Sequence, residues 1–136
     1  MATADRADDP ARELARLTAA LSASGDVVYE WDLARDAIVW HGSITRLFPD
    51  GAPPTTGDAL AAAVHPEDQP ERARALNDHL ALGLGYDCEY RLAGNDGAGH
   101  WVHDRGGVVR GDDAGGAHMM GTMRLVTRRK ATEARL

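Results

Sequence analysis

Cysteine, long apolar runs and basic charge are all scarce in this chain of 136 residues, and each shortage removes a class of protein. Cys88 is the only cysteine, so no disulfide can form within the chain and no zinc-ligand spacing exists. No apolar stretch approaches the roughly 18 residues that span a bilayer, which argues against membrane contact in this segment. The N-terminal Met1-Ala2-Thr3-Ala4-Asp5-Arg6 lacks the apolar core of a secretory signal, so a reducing cytoplasm is the expected compartment. Fifteen Lys and Arg stand against 21 Asp and Glu, a formal charge of -6 that repels nucleic acid. Basic residues cluster only at the C-terminus. The chain also has no Gly-Lys-Ser/Thr phosphate loop, no Gly-x-Ser-x-Gly elbow and no His-Glu-x-x-His helix, and its glycines gather in turns. No enzyme activity is expected.

What is present suits one domain with a real core, since 43% of the residues are hydrophobic. Residues 1–9 are polar and read as a loose leader. Over residues 10–24, Pro10 suits the first turn of a helix, and Leu14, Leu17 and Leu21 recur at spacings of three and four, a narrow amphipathic stripe. Val27, Tyr29, Trp31 and Leu33 alternate with Val28, Glu30 and Asp32, predicting a half-buried strand; Ala37 to His41 predicts its hairpin partner. Ser43 offers an N-cap to a short helix carrying Ile44, Leu47 and Phe48. Ala59 to Val64 predicts a small helical turn. His65-Pro66-Glu67-Asp68 starts a longer helix running to about Leu82, with Ala73, Leu76, His79 and Leu80 on one face and Gly83 or Gly85 as its stop.

Three strands then follow: Tyr86 to Leu92, His100 to Arg110, and His118 to Thr127, separated by Gly94-Asn95-Asp96-Gly97 and by residues 111–116. The order of elements predicts an α+β fold. One five-stranded antiparallel sheet has helices covering one face, a cleft between the two layers, and the amphipathic helix at its N-terminus. The domain proper spans residues 25–127, and residues 128–136 read as the first turns of a charged linker helix.

Several stretches together resemble the PAS sensor family, in its subfamily with an aromatic-rich first strand. They are Tyr29-Glu30-Trp31-Asp32-Leu33, Trp40, Leu47-Phe48, Val64-His65-Pro66-Glu67-Asp68, Tyr86-Asp87-Cys88-Glu89-Tyr90-Arg91, Asp96-Gly97, Trp101-Val102, Gly121-Thr122 and Thr127-Arg128-Arg129-Lys130. The resemblance covers about Gly25 to Leu136. It implies a non-catalytic sensing and dimerisation module of a bacterial signalling protein, joined through Thr127 to an output domain outside this chain. Such outputs are commonly a histidine kinase or a cyclic-di-GMP enzyme. One departure is notable: Leu125-Val126-Thr127 stands where the family usually has Asp-Ile-Thr, so the Asp that clamps the exit strand is missing.

Candidate sites follow from the expected faces. Trp31, Trp40, Ile44, Phe48, Leu76, Leu80, Cys88, Tyr90 and Met123 converge on the cleft and either line a small-molecule pocket or fill the core completely. His79 lies on the crossover helix, where a His in some haem-binding relatives is the proximal iron ligand; an ordinary helix histidine is the competing reading. Light-sensing relatives place a reactive Cys on the helix after the second strand, but residues 41–46 contain no thiol, which argues against a flavin adduct. His100 and His103 point to opposite strand faces, and His118 should pair near Val109, about 30 Å along the strand from His100, so no metal site is expected. Glu30, Asp32, Glu89 and Arg91 read as strand-face charges that make surface cross-strand pairs rather than an acid/base pair. Leu14, Leu17 and Leu21 either form a homodimer seam or pack on their own sheet.

Overall fold

The chain leaves its N-terminal helical residues at Gly25, whose φ of 88° is one that residues with a Cβ rarely adopt. Strand β1 (Asp26–Asp32) follows, then β2 (Ala37–Gly42), and the Tyr29↔Trp40 and Trp31↔Ile38 register puts their aromatic residues on one face. The hairpin turn is stabilised by Asp32, whose Oδ1 accepts the amides of Ala34 and Arg35, both at 3.1 Å, and by Asp36 in the left-handed region at φ 52°. The computed structural model describes residues 10–13, 15–17, 19–20, 23–48, 52–93, 100–110 and 116–126. Leu14, Leu21, Thr127, the leader and residues 128–136 lie outside the described residues.

Three helices link the two edges of the sheet: α1 (Ile44–Leu47), α2 (Gly57–Ala63) and α3 (Gln69–Leu82). Strands β3 (Tyr86–Leu92), β4 (His100–Arg110) and β5 (Ala117–Leu125) complete one sheet of order β2-β1-β5-β4-β3, antiparallel throughout. Since β2 and β3 are the two edges, the helical crossover has to traverse the sheet, and it buries Leu47, Leu60 and Val64 against Val27, Ile38, Tyr90, Val102 and Met123. This is the predicted α+β fold, with the Val109↔His118 pairing in place.

Local details differ from the sequence reading. Ser43 occupies the N-cap of α1, but its hydroxyl makes no capping bond. The second helix begins earlier than expected because Thr56 caps it, accepting the Ala59 amide at 3.0 Å. On α3 the inward face is formed by Arg72, Ala75, Leu76 and His79; Ala73 is exposed and Leu80 is 39% exposed. An arginine at the first inward position rotates the buried stripe away from the one that apolar residues alone suggest. The helix stops at Gly83, at φ 73°.

Asp68, just ahead of α3, holds the crossover to the sheet. Its Oδ2 accepts both the Arg91 backbone amide and Nε at 2.9 Å, and its Oδ1 accepts Nη2 at 3.0 Å. Arg91 also pairs with Glu67 and lies 5.1 Å from the Trp101 ring centre. Arg91 was read from sequence as a cross-strand partner; here it joins β3 to the helix start. The expected cross-strand pairs involve histidines: His41 with Glu30 at 3.1 Å and His118 with Asp32 at 3.6 Å.

Candidate functional site

A carboxylate stands at the centre of the covered sheet face. Asp104, 1% exposed, lies opposite Cys88 on β3 and Met123 on β5. Tyr86 and Tyr90 flank Cys88 by two residues on either side, so both phenols reach Asp104 diagonally and donate to its Oδ2 at 2.9 Å. A third phenol arrives from farther away. Tyr29 on β1 crosses β5 to donate to Asp104 Oδ1 at 2.7 Å. Its ring needs bare backbone beneath it: a Cβ on Gly121 would strike the Tyr29 phenol, and one on Gly106 would sit 2.8 Å from its oxygen.

Arg72 closes the cluster from α3. It is 7% exposed, its guanidinium carbon lies 5.8 Å from the centre of the Tyr90 ring, and its Nε has no hydrogen-bond partner. Burial raises the Asp104 pKa above the usual carboxylate value; the three phenols and Arg72 act in the opposite direction without cancelling it. Burial, and then the charge of Asp104, pushes the Tyr29 and Tyr86 phenols well above their ordinary value. Burial also opposes the Arg72 charge, but Tyr86, Tyr90 and Asp104 outweigh it and leave the guanidinium firmly cationic.

Beside this cluster a residual space of about 10 Å³ remains between sheet and helices, about the room of a single water. Arg72, Tyr29, Tyr86 and Asp104 supply its polar wall; Trp31, Ile38, Leu60, Leu76 and Met119 supply the apolar one, with Gly57 at the margin. Asp36 positions two of these, accepting the Trp31 indole N–H at 2.8 Å and the Gly57 amide at 2.6 Å, which together hold its carboxyl below the usual range.

Of the residues singled out from sequence, Trp31 and Leu76 line this space. Trp40, Tyr90 and Met123 are core, and Ile44, Phe48 and Cys88 pack partly buried against it. Trp40 meets Phe48 edge-on at 5.3 Å and donates its indole N–H to the Pro54 carbonyl at 2.7 Å. Leu80, more than a third exposed, does not line the space. Burial pushes the Cys88 thiol up to about 11, a value at which it is a poor nucleophile. Strand alternation puts Tyr29 and Tyr86 on the apolar faces of β1 and β3 without marking them as site residues, and nothing in the sequence points to Arg72 or Asp104, because charged side chains are seldom buried.

A haem does not fit these residues. His79 Nδ1 bonds the Leu84 carbonyl at 2.5 Å and the ring leans on Tyr86, 6.1 Å between centres. Its Nε2 is buried without a partner, yet His79 does not line the residual space, and about 10 Å³ cannot take a macrocycle. Nor do the strand histidines gather: His100 bonds the Leu47 carbonyl at 2.8 Å, His103 bonds Asp87 at 2.6 Å, and His118 faces Asp32.

Comparison with known proteins points the same way as the fold. The chain is 29% identical over 110 residues to the sensor protein FixL of Bradyrhizobium diazoefficiens, an alignment covering 79% of this chain and 22% of that protein. It therefore spans about a fifth of that relative's length. It superposes on a sensory box histidine kinase/response regulator structure from Burkholderia thailandensis with a TM-score of 0.69 and 26% identity, covering 88% of this chain and 91% of that one. The N-terminal domain of a diguanylate cyclase with PAS/PAC sensor from Marinobacter aquaeolei shares the fold, with a TM-score of 0.65 and 24% identity over 77% of this chain and 98% of that one. The PAS fold family model matches residues 37–123, more than half of the sequence and every strand from β2 into β5, so this chain belongs to the PAS fold family.

Proposed function

We propose that this chain is the non-catalytic sensory and dimerisation module of a bacterial signal-transduction protein, of the histidine kinase or cyclic-di-GMP class, working in the cytoplasm and binding a small molecule between its sheet and its helices. The observation that carries this reading is the buried group of Asp104, three phenols and Arg72 between sheet and roof, of which Asp104, Tyr29, Tyr86 and Arg72 line the cleft. A core needed only for packing gains little from five buried polar side chains, since each must be desolvated and partnered. A site for a small ligand uses such a mixture, a few fixed polar groups among apolar walls. The sensory names of the similar proteins support the same class.

Signal output requires two states that a ligand distinguishes. Here α2 and α3 roof the cleft, and the Asp68–Arg91 ion pair ties the start of α3 to β3. Arg91 stacks on Trp101, whose carbonyl accepts the Val126 amide at 2.9 Å, next to the exit at Thr127. With Leu125 in place of the family's usual Asp, we assign that backbone bond part of the clamp on the exit strand. Dimerisation is supported by the helical residues 10–13, 15–17 and 19–20, all exposed, with Leu17 53% exposed rather than packed on its own sheet.

A second reading, a structural spacer with a filled core, is favoured by the small residual space of about 10 Å³. Native mass spectrometry of the purified chain separates the two and counts subunits in the same measurement. A retained small molecule on a dimer is expected; a bare chain whose unfolding temperature no metabolite raises would leave the spacer standing.

A further inference from the structure

We infer that the cleft takes a short aliphatic carboxylate, its charged end on Arg72 and its alkyl end against Trp31, Leu60 and Leu76. This assignment rests on the sensory reading above and gives the ligand its chemical class. The geometry behind it is an imbalance between donors and acceptors at the buried cluster. Asp104 has three donors, Tyr29 on one oxygen and Tyr86 and Tyr90 on the other. Arg72 is less well matched: its Nε is buried without a partner, and the residue belongs to the wall of the residual space. A buried N–H left unbonded costs about 1–3 kcal/mol, more on a charged group, so an acceptor delivered there is strongly favoured. A guanidinium edge matches a carboxylate, with its two parallel acceptors, better than any neutral group.

The other walls argue for the rest of the ligand. Beyond Arg72, Tyr29, Tyr86 and Asp104, the lining is apolar, which suits a short hydrocarbon stub and penalises a polyanion such as phosphate. Burial penalises a charged carboxylate here, as the raised pKa of Asp104 shows even with three phenols donating to it, so an entering carboxylate depends on the Arg72 charge for its stability. The space of about 10 Å³ is smaller than any carboxylate, so entry displaces Leu60 on α2 and Leu76 on α3 outward. Occupancy is thereby coupled to the position of the roof. Asp104 is the resident counter-charge and competes with the ligand for Arg72.

The test is thermal unfolding and calorimetric titration of the full chain with acetate and propionate against acetamide and propionamide, at constant ionic strength made up with chloride. The carboxylates should raise the unfolding temperature and the amides should not. Arg72→Met should abolish the carboxylate response, and Arg72→Lys, which keeps the charge but loses the unpartnered N–H, should weaken binding about tenfold. Asp104→Asn, which removes the competing charge, should tighten it about tenfold. Equal responses to amides and carboxylates, an Arg72→Met chain that still responds, or no response in the wild type would each overturn the assignment, and the wild-type arms need no variant to fold. A neutral molecule retained in native mass spectrometry, with no carboxylate response, would overturn this inference while the sensory reading survived. A wild-type chain that retains nothing and responds to no metabolite would remove both.

Discussion

Tyr29 lies across Gly121, its register partner on β5, and so reaches over a complete strand to an aspartate on β4. The pairing of a large ring with an absent side chain makes one buried carboxylate accessible to phenols from both halves of the sheet. Gly106, which pairs with Gly121 on the next strand, extends the same bare track.

Gly121→Ala should therefore destabilise the fold. A methyl group there strikes the Tyr29 phenol and the Arg105 carbonyl, a backbone atom that cannot swing aside. Overpacking of this kind costs about 1–3 kcal/mol, read as a lower midpoint in urea unfolding. Introduced into a Tyr29→Leu background, Gly121→Ala should cost less than it does in the wild type, because one of the two clashes is gone; an unaltered midpoint in the single variant would contradict the ring's position.

Asp104 makes stability depend on pH with a definite sign. Its folded pKa lies above its unfolded value of about 3.9, so its favourable contribution is complete below that value and is lost as pH rises through the folded pKa. The unfolding free energy of wild type minus that of Asp104→Asn should decline with rising pH from about 4 and then level off. Urea unfolding at a series of pH values measures it, and a difference that grows with pH would show that hydrogen bonding outweighs burial.

Asp68 should behave in the opposite way. Hydrogen bonds from the Arg91 side chain, and then from its backbone amide, hold the Asp68 carboxyl below the usual range. Its contribution is present above the unfolded pKa of about 3.9 and is lost as pH falls through the folded value. Asp68→Asn should cost about 1–3 kcal/mol at neutral pH, with the difference from wild type vanishing in acid. Hydrogen exchange should also quicken at the start of α3, where the tether is cut.

Thr56→Ala tests the start of α2. Losing the bond to the Ala59 amide should cost about 1 kcal/mol, and Thr56→Ser should restore most of it. Equal stability of the alanine and serine variants would mean that the cap contributes nothing.

Strand content was legible because alternation is a local property. Tyr86, Cys88, Tyr90 and Leu92 must share a face whatever lies beyond them, and they do. The family was legible for a related reason, that its short motifs sit at element boundaries such as His65 to Asp68. The inward face of α3 was not legible. Arg72 is at proper helical spacing from Ala75, Leu76 and His79, but the usual exclusion of cations from cores hides it. Asp104 is concealed in the same way between Val102 and Gly106 on β4.

By itself, the order of residues determined the five strands, the helical crossover and the PAS family, because each depends on spacing within a few neighbouring positions. Only the tertiary structure decided that Arg72, Asp104 and three phenols form one buried cluster beside the cleft. Those side chains come from four elements between Tyr29 and Asp104, and nothing local holds them together. The strand order β2-β1-β5-β4-β3 brings Tyr29 and Asp104 within a ring's length of each other, and two glycines clear the way between them.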